Sequence, residues 1–453
     1  MCETELFVST SFPMYSVRVI GDHHIVVAGG GGQAKSGVPN RVEVFGIDLK
    51  STGPKLAKMG HINTGSRATM NMDVLVLNTK NGEFILALGQ EGKCFTKSNV
   101  HYTSECFVSG CCQLVQTSYW NLKSPNAVDI SFDQINRPHR SRNNSSLNDD
   151  TKRRNAGTFS LKMDAIQLFQ TDFSSDGRGG GPFQKVVRFS PSGQLLLTGG
   201  ADGHFRVWQY PTVRKMLDHN AHKDEIDDLD ISCNETVVVT VGRNGTCYLW
   251  RIKDAGKVAD LNAVGTKPTL LPDKYRYRFA RFLKDKSLDS HHVLITCSVP
   301  VARSTKMQPC FLTKWLISYS GSTLICRAES VRACGNEVIS TMAVSDCSQY
   351  LAFGTLGGSL IVCKSENLIT KKIWKQAHSI FVTSLDFLPT NPPKHSSFYP
   401  LLSSKSTLAI VSVSADNLCQ IHIMDSSVTC SWSQLLLILT ALLNVAYFFM
   451  KFC

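Results

Sequence analysis

Two stretches of the chain align without a gap, "VVRFSPSGQLLLTGGADGHFRVWQY" and "LDISCNETVVVTVGRNGTCYLWRI". Trp208 and Trp250 stand 42 residues apart, and the same interval separates Gly200 from Gly242 and Asp202 from Asn244. Each copy holds two runs rich in β-branched residues, joined by a turn with glycine, which reads as a pair of antiparallel strands. One such unit cannot bury both faces of its own small sheet, so it is stable only when packed against further copies. The repeat therefore demands an array of similar sheets.

A period of about 40–45 residues with a turn Asp ahead of a Trp is the signature of a WD-type β-propeller blade. His222, after Ala221, fills the place of the Gly-His dipeptide in the second unit. In such blades the His, Asp and Trp hydrogen-bond to one another's surroundings, so Asp202, Trp208, His222, Asn244 and Trp250 are expected to be structural. Weaker copies extend the pattern. "ISTMAVSDCSQYLAFGTLGGSLIVCK" puts Leu356 where the Asp belongs, and "AHSIFVTSLDFLP" with "LAIVSVSADNLCQIHIM" keeps His378 and Asp416 but has His422 in place of Trp. "FARFLKDKSLDSHHVLITCSV … FLTKWLIS", "ATMNMDVLVLNTKNGEFILALGQEGKCF" and "FPMYSVRVIGDHHIVVAGGGG … RVEVFGI" supply three more. The expectation is an all-β, seven-bladed propeller over residues 1–430. Residues 97–165 are expected as an insertion between the second and third blades, and 390–406 as a loop of the last.

A hydrophobic content of 43% with 19% charged residues describes a folded chain with an ample core. The formal charge of +12 invites a nucleic-acid or membrane-surface reading. Much of that excess is local: "INRPHRSRNNSSLNDDTKRRN" carries Arg137, Arg140, Arg142, Lys152, Arg153 and Arg154 against Asp149 and Asp150. This polar, aperiodic run reads as a solvated insertion, with a nuclear-import or phosphate-binding patch as the other reading. The 16 cysteines form no C-x-x-C pair and no Cys/His ladder, which speaks against a zinc site. Scattered through strand-like runs, they read as small buried apolar residues with free thiols.

Near the end, the 18-residue run "SQLLLILTALLNVAYFFM" carries no charge. At about 1.5 Å per residue it matches a thin bilayer core as a helix. Trp432 and Tyr447 sit toward its ends, where interfacial aromatics belong. Residues 431–453 are thus expected to be a single transmembrane anchor, the other reading being a buried C-terminal helix. No basic segment followed by an apolar one opens the chain, so the propeller is expected in the cytosol. The sequons at Asn143, Asn144, Asn234 and Asn244 are then expected to carry no glycan.

One stretch is not explained by the repeat. "VVAGGGGQAKSGVPN" holds four successive glycines, a Lys-Ser pair and then Gly-Val-Pro-Asn. A Walker A loop would need a glycine where Ala34 stands and a helix afterwards. Beyond Pro39 and Asn40 comes "RVEVFGI", a strand pattern, so the loop joins strand to strand and cradles no nucleotide. From the residues alone it is either a flexible hairpin tip or a specialised loop.

Taken together and in order, "AGGGGQAKSGVPN", "RATMN", "QTDFSSD" before "QKVVRFSPSG", "KQAHSIFVTSLDF" and the apolar end resemble the endoplasmic-reticulum exchange factors for the Sar-type small GTPase. The resemblance implies that the loop Gly32, Gln33, Ala34, Lys35, Ser36, Gly37, Val38, Pro39 and Asn40 contacts the GTPase and helps expel its nucleotide. It also implies a potassium ion held by the backbone of Gly30, Gly31 and Gly32 and by the Asn40 side chain. Glycines expose carbonyl oxygens, which suit a weakly hydrated monovalent cation. Pro39 pushes Val38 toward an extended form, which would present it as an apolar probe. Gln33, Ala34 and Lys35 are where the transfer of roles is least direct.

The function expected from this resemblance is nucleotide exchange on a Sar-type GTPase at the endoplasmic reticulum, starting COPII coat assembly, with no covalent chemistry. Expected partners are the GTPase, the membrane through the C-terminal helix and, indirectly, the coat. A nuclear DNA-binding regulator and a non-catalytic WD-repeat scaffold are the alternatives. Nucleic acid is not the expected partner, because the basic residues concentrate in one insertion rather than on a rigid face.

Overall fold

Alternation of β-branched and aromatic residues produces strands along nearly all of the described chain, and the inner strands bury one or both faces against their neighbours. The computed structural model describes residues 6–34, 36–48, 55–78, 82–96, 106–121, 159–173, 182–262, 275–284, 291–301, 308–320, 323–402, 406–425 and 440. Its strands form seven four-stranded antiparallel sheets. Blade 1 comprises Met14–Ile20, His24–Gly29, Arg41–Asp48 and Lys55–Asn63; blade 4 comprises Ile226–Ile231, Val237–Gly242, Cys247–Arg251 and Lys257–Asp260. The expected seven-bladed propeller is the fold.

The ring closes by a device that sequence pattern did not reveal. Blade 7 takes Val382–Phe387, Ser406–Ser414 and Leu418–Asp425 from the end of the chain and Leu6–Ser9 from its beginning. Leu6 pairs with Ile421 and Ser9 with Leu418, so the outermost strand comes from the opposite end of the described sequence.

One expected insertion is corrected. Blade 2 contains Thr69–Asn78, Glu83–Thr96, Cys106–Asn121 and Phe159–Gln170, so one of its strands and the first part of another fall inside residues 97–165. Residues 111–121 of "CFVSGCCQLVQTSYWN" pair with the whole of "FSLKMDAIQLFQ", which supplies the hydrogen bonds a loop would lack. The basic residues 137–154 lie between these strands and outside the described residues. The 390–406 loop, for its part, contributes to the core: Phe398 is fully buried in the cluster of Phe12, Met14 and Leu388. Ser396 Oγ donates to the Asp22 carbonyl at 2.6 Å, fastening this segment to blade 1.

Strands alternate in direction, so the ring has two faces of different origin. One face collects the turns between second and third strands and the connections between blades. The first-to-second and third-to-fourth turns lie on the other. The glycine loop belongs to the first face; the last strand, Leu418–Asp425, runs away from it and ends on the second.

Around the axis the innermost strands carry charges of alternating sign. Arg18 of blade 1 pairs with Asp73 of blade 2 at 3.2 Å, and Asp73 also accepts from the Phe189 amide of blade 3 at 2.7 Å. Arg281 of blade 5 pairs with Asp228 of blade 4, while Asp230 and Asp386 accept the amides of Phe282 and Val19 at 2.8 and 3.0 Å. Each carboxylate thus fastens its own blade to the next. Burial weakens the Arg188 guanidinium to a pKa of about 10, with Arg281 and Arg18 adding repulsion. The cysteines whose side chains are described are free, and most are buried, as expected for apolar packing. Burial pushes the Cys112 thiol up to about 12.

Among the described residues no helix is long and apolar enough to cross a membrane. The expected anchor at 431–453 lies outside them apart from Thr440.

Candidate functional site

The glycine loop joins His24–Gly29 to Arg41–Asp48, strand to strand as its sequence demanded. Its base is closed by one side chain. Asn40 Oδ1 accepts from the Gly32 amide at 2.9 Å, and Nδ2 donates to the Gly32 carbonyl at 3.0 Å and to the Gly65 carbonyl at 3.1 Å. Asn40 is itself buried, 8% exposed, so these bonds form away from bulk water. A primary amide can accept from one backbone N–H while donating two hydrogens to carbonyls, which neither a carboxylate, with no hydrogen, nor a hydroxyl, with one, can do.

This clamp explains the glycines one by one. A Cβ on Gly30 would lie 2.1 Å from Asn40 Oδ1, and one on Gly31 would lie 2.7 Å from Ser36 Oγ. Gly37 is different: its φ is +78° and nothing stands within 4 Å of a Cβ there, so conformation alone requires glycine. The Gly30 amide donates to the Pro13 carbonyl at 3.0 Å, which ties the loop to the blade 7–blade 1 connection. The described part of the loop is therefore a held projection rather than a loose tip.

Gln33, Ala34, Ser36 and Gly37 are exposed, and Lys35 lies outside the described residues. Val38 does not stand out as a probe. It is half-buried and packs on the cluster of Phe12, Met14 and Phe45. Neutral oxygens of Gly32, Gly65 and Asn40 gather at the loop base, and residues 30–40 contain no acid. Neutral carbonyl oxygens suit a weakly hydrated monovalent cation rather than zinc, and Gly32 O, Gly65 O and Asn40 Oδ1 each already take a hydrogen bond here. Among the described residues no group of three His, Cys, Asp or Glu side chains could hold a metal ion.

The repeat residues have structural partners. In blade 4, Thr240 Oγ1 is bonded by Trp250 Nε1 at 2.7 Å and by His222 Nε2 at 2.8 Å, while His222 Nδ1 reaches Thr246 Oγ1 at 2.9 Å. Burial, with repulsion from Lys257, depresses the His222 pKa to about 4. Asn244 Oδ1 accepts from the Thr246 amide at 3.1 Å, forming the turn. In blade 3, Trp208 Nε1 donates to Thr198 Oγ1 at 2.9 Å and Asp202 pairs with Arg206 at 2.7 Å. In blade 7, His422 takes over the Trp role, its Nε2 lying 2.9 Å from Ser412 Oγ.

That last network looks like a hydrolase triad: Ser412 Oγ lies 2.8 Å from His378 Nε2, and His378 Nδ1 lies 3.1 Å from Asp416. Ser412 is fully buried, however, and its hydroxyl is shared with His422. No substrate atom can approach it, so the arrangement fixes the blade and does no chemistry.

Sequence reasoning missed Gly65 and Pro13, the backbone partners of the loop. Only their distance in space, not their spacing, links them to it.

The WD domain, G-beta repeat family matches residues 185–209 and 213–251. A chain of Raptor from Chaetomium thermophilum superposes with a TM-score of 0.56 at 9% identity, over 93% of this chain and 28% of that one, which supports the propeller fold alone. Guanine nucleotide-exchange factor SEC12 from Mus musculus is 31% identical over 92% of this chain and 89% of its own length. The Rattus norvegicus protein of the same name matches at the same level. SEC12-like protein 1 of Arabidopsis thaliana is 24% identical over 46% of this chain. With full-length kinship at this level, the chain belongs to the family of SEC12 guanine nucleotide-exchange factors.

Proposed function

We propose that this chain is a guanine nucleotide-exchange factor for a Sar-type small GTPase and initiates COPII coat assembly at the endoplasmic reticulum. The observation that carries this reading is the 31% identity over 92% of the chain to a SEC12 exchange factor. The clamped loop gives it a physical basis. A segment ordered before binding loses little entropy on contact, so more of its interaction energy is left to distort the partner's nucleotide pocket. Exchange results from preferring the nucleotide-free GTPase to the loaded one, because coupled binding is reciprocal and each ligand weakens the other. No bond is made or broken, and this chain itself binds no nucleotide.

A potassium ion at the loop base would be held by carbonyl groups of Gly30, Gly31 and Gly32 with Asn40, and would supply fixed positive charge there. The apolar run at 433–450 would serve as the membrane anchor. Because the last strand leaves from the opposite face, such an anchor would hold the loop turned away from the bilayer. The test is release of a fluorescent guanine nucleotide from a purified Sar-type GTPase. Substoichiometric full-length protein should accelerate release, and an unchanged rate would reject the reading.

A further inference from the structure

We propose that Leu356, Ile380 and Phe381 form a second docking point for the same GTPase: an apolar ridge, on the face that carries the glycine loop, which seats an apolar patch of the partner. The inference rests on the exchange reading above. It begins with a departure from the repeat. In blades 3 and 7 the turn between the second and third strands holds an acid, Asp202 or Asp416, engaged in hydrogen bonds. In blade 6 that place belongs to Gly357, not to Leu356 as the sequence pattern suggests, since Gly358 takes the part of Gly203. Leu356, 45% exposed, stands where blades 3 and 7 have Ala201 and Ala415.

The acid's work has not been lost. Glu337, from the connection before the blade, reaches the turn instead: Thr355 Oγ1 donates to Oε2 and Ser359 Oγ donates to Oε1 at 3.1 Å. Gly357 packs so closely on this carboxylate that a Cβ would lie 2.6 Å from it. With the turn already fastened, nothing within the blade needs a large apolar side chain at 356. Its exposure costs solubility.

Two more apolar side chains stand beside it. Ile380 and Phe381, in the connection to blade 7, are each 41% exposed. The positions are locked together: the His378 amide donates to the Gly358 carbonyl at 3.0 Å, and Gly358 lies against the carbonyls of His378 and Ile380. Ser414 Oγ donates to the Phe381 carbonyl at 2.8 Å, and the Ser379 amide donates to Asp416 at 3.1 Å. The ridge is therefore rigid.

Its position selects the occupant. From Asp416 the turn passes to Asn417, whose carbonyl accepts the Thr10 amide at 2.9 Å; three residues on, Pro13 holds Gly30. Ridge and loop are thus connected through the blade 7 turn and look out from one face. A bilayer reached from the end of Leu418–Asp425 would lie on the other face, which argues against lipid as the occupant. A globular partner engaged by the loop has this surface beside it, and exposed aromatic and aliphatic anchors next to a functional loop are what such a partner buries.

The test uses the full chain with Leu356→Ala, which gives the residue that blades 3 and 7 carry there, and with Phe381→Ala. Nucleotide release is measured across a titration of GTPase, beside thermal melts. The expected result is a roughly tenfold rise in the half-saturating GTPase concentration with the maximal rate retained, as for loss of an anchoring contact. Asn40→Ala should instead lower the maximal rate. Unchanged half-saturation in variants that melt like the parent would overturn the ridge while leaving the exchange reading intact. No release by the parent chain would reject both. Dimerisation of the parent that the variants abolish would give the ridge to a second copy and also overturn the proposal.

Discussion

At the scale of single residues, Asn40 is the most informative side chain in the molecule. Replacing it with Ala strands the Gly32 amide and frees two carbonyls, which costs roughly 1–3 kcal/mol locally. Asn40→Asp keeps the acceptor for Gly32 but loses both donated bonds. Both variants should lose most exchange activity with only a small fall in melting temperature. Gly37→Val tests conformation separately, since there is room for the side chain but left-handed backbone costs it about 1–2 kcal/mol. It too should impair release while far-ultraviolet circular dichroism stays unchanged. The polar base of this loop was legible in the sequence; its partners were not, because Gly65 and Pro13 are joined to it only by folding. Buried histidines set a pH response. His24 and His222 are held at pKa values of about 4 by burial, whereas in the unfolded chain they titrate near 6.5. The unfolded state therefore takes up protons first, so stability is complete above about pH 6.5 and falls as pH drops toward about 4. By pH 5 the loss is about 2 kcal/mol for each, readable as a lower urea midpoint.

At the scale of elements, the two threonine-centred networks hold blades as units. Trp250→Ala should cost on the order of 3–5 kcal/mol through a cavity and a broken hydrogen bond. Thr240→Val is subtler: it keeps the volume but leaves two buried nitrogens without their hydroxyl, at roughly 1–3 kcal/mol each. Either change should lower the melting temperature while folded protein at low temperature retains its specific exchange activity. These blades were legible because Trp, Gly and Asp or Asn recur at a fixed interval. Blade 2 was only half legible. Its third and fourth strands do not carry these residues at the repeat interval, polar residues interrupt their apolar runs, and the long segment separating them hid their pairing.

At the scale of the whole molecule, stability depends on closing the ring. Removing residues 1–9 deletes the strand that covers Leu418–Asp425 and exposes a sheet edge. Such a truncation should melt lower by calorimetry and aggregate more readily, even though the deleted segment includes the exposed Phe7. No local pattern could have announced this pairing, since its partners lie at opposite ends of the described chain. The central claim is a division of labour: a propeller that holds, and one clamped loop that drives nucleotide release. The most direct measurement is the rate of fluorescent-nucleotide release from a purified Sar-type GTPase, with the parent chain and Asn40→Ala at matched folded concentrations. The account predicts strong acceleration by the parent and little by the variant. Equal acceleration by both would contradict it, and would leave the glycine loop no part in exchange.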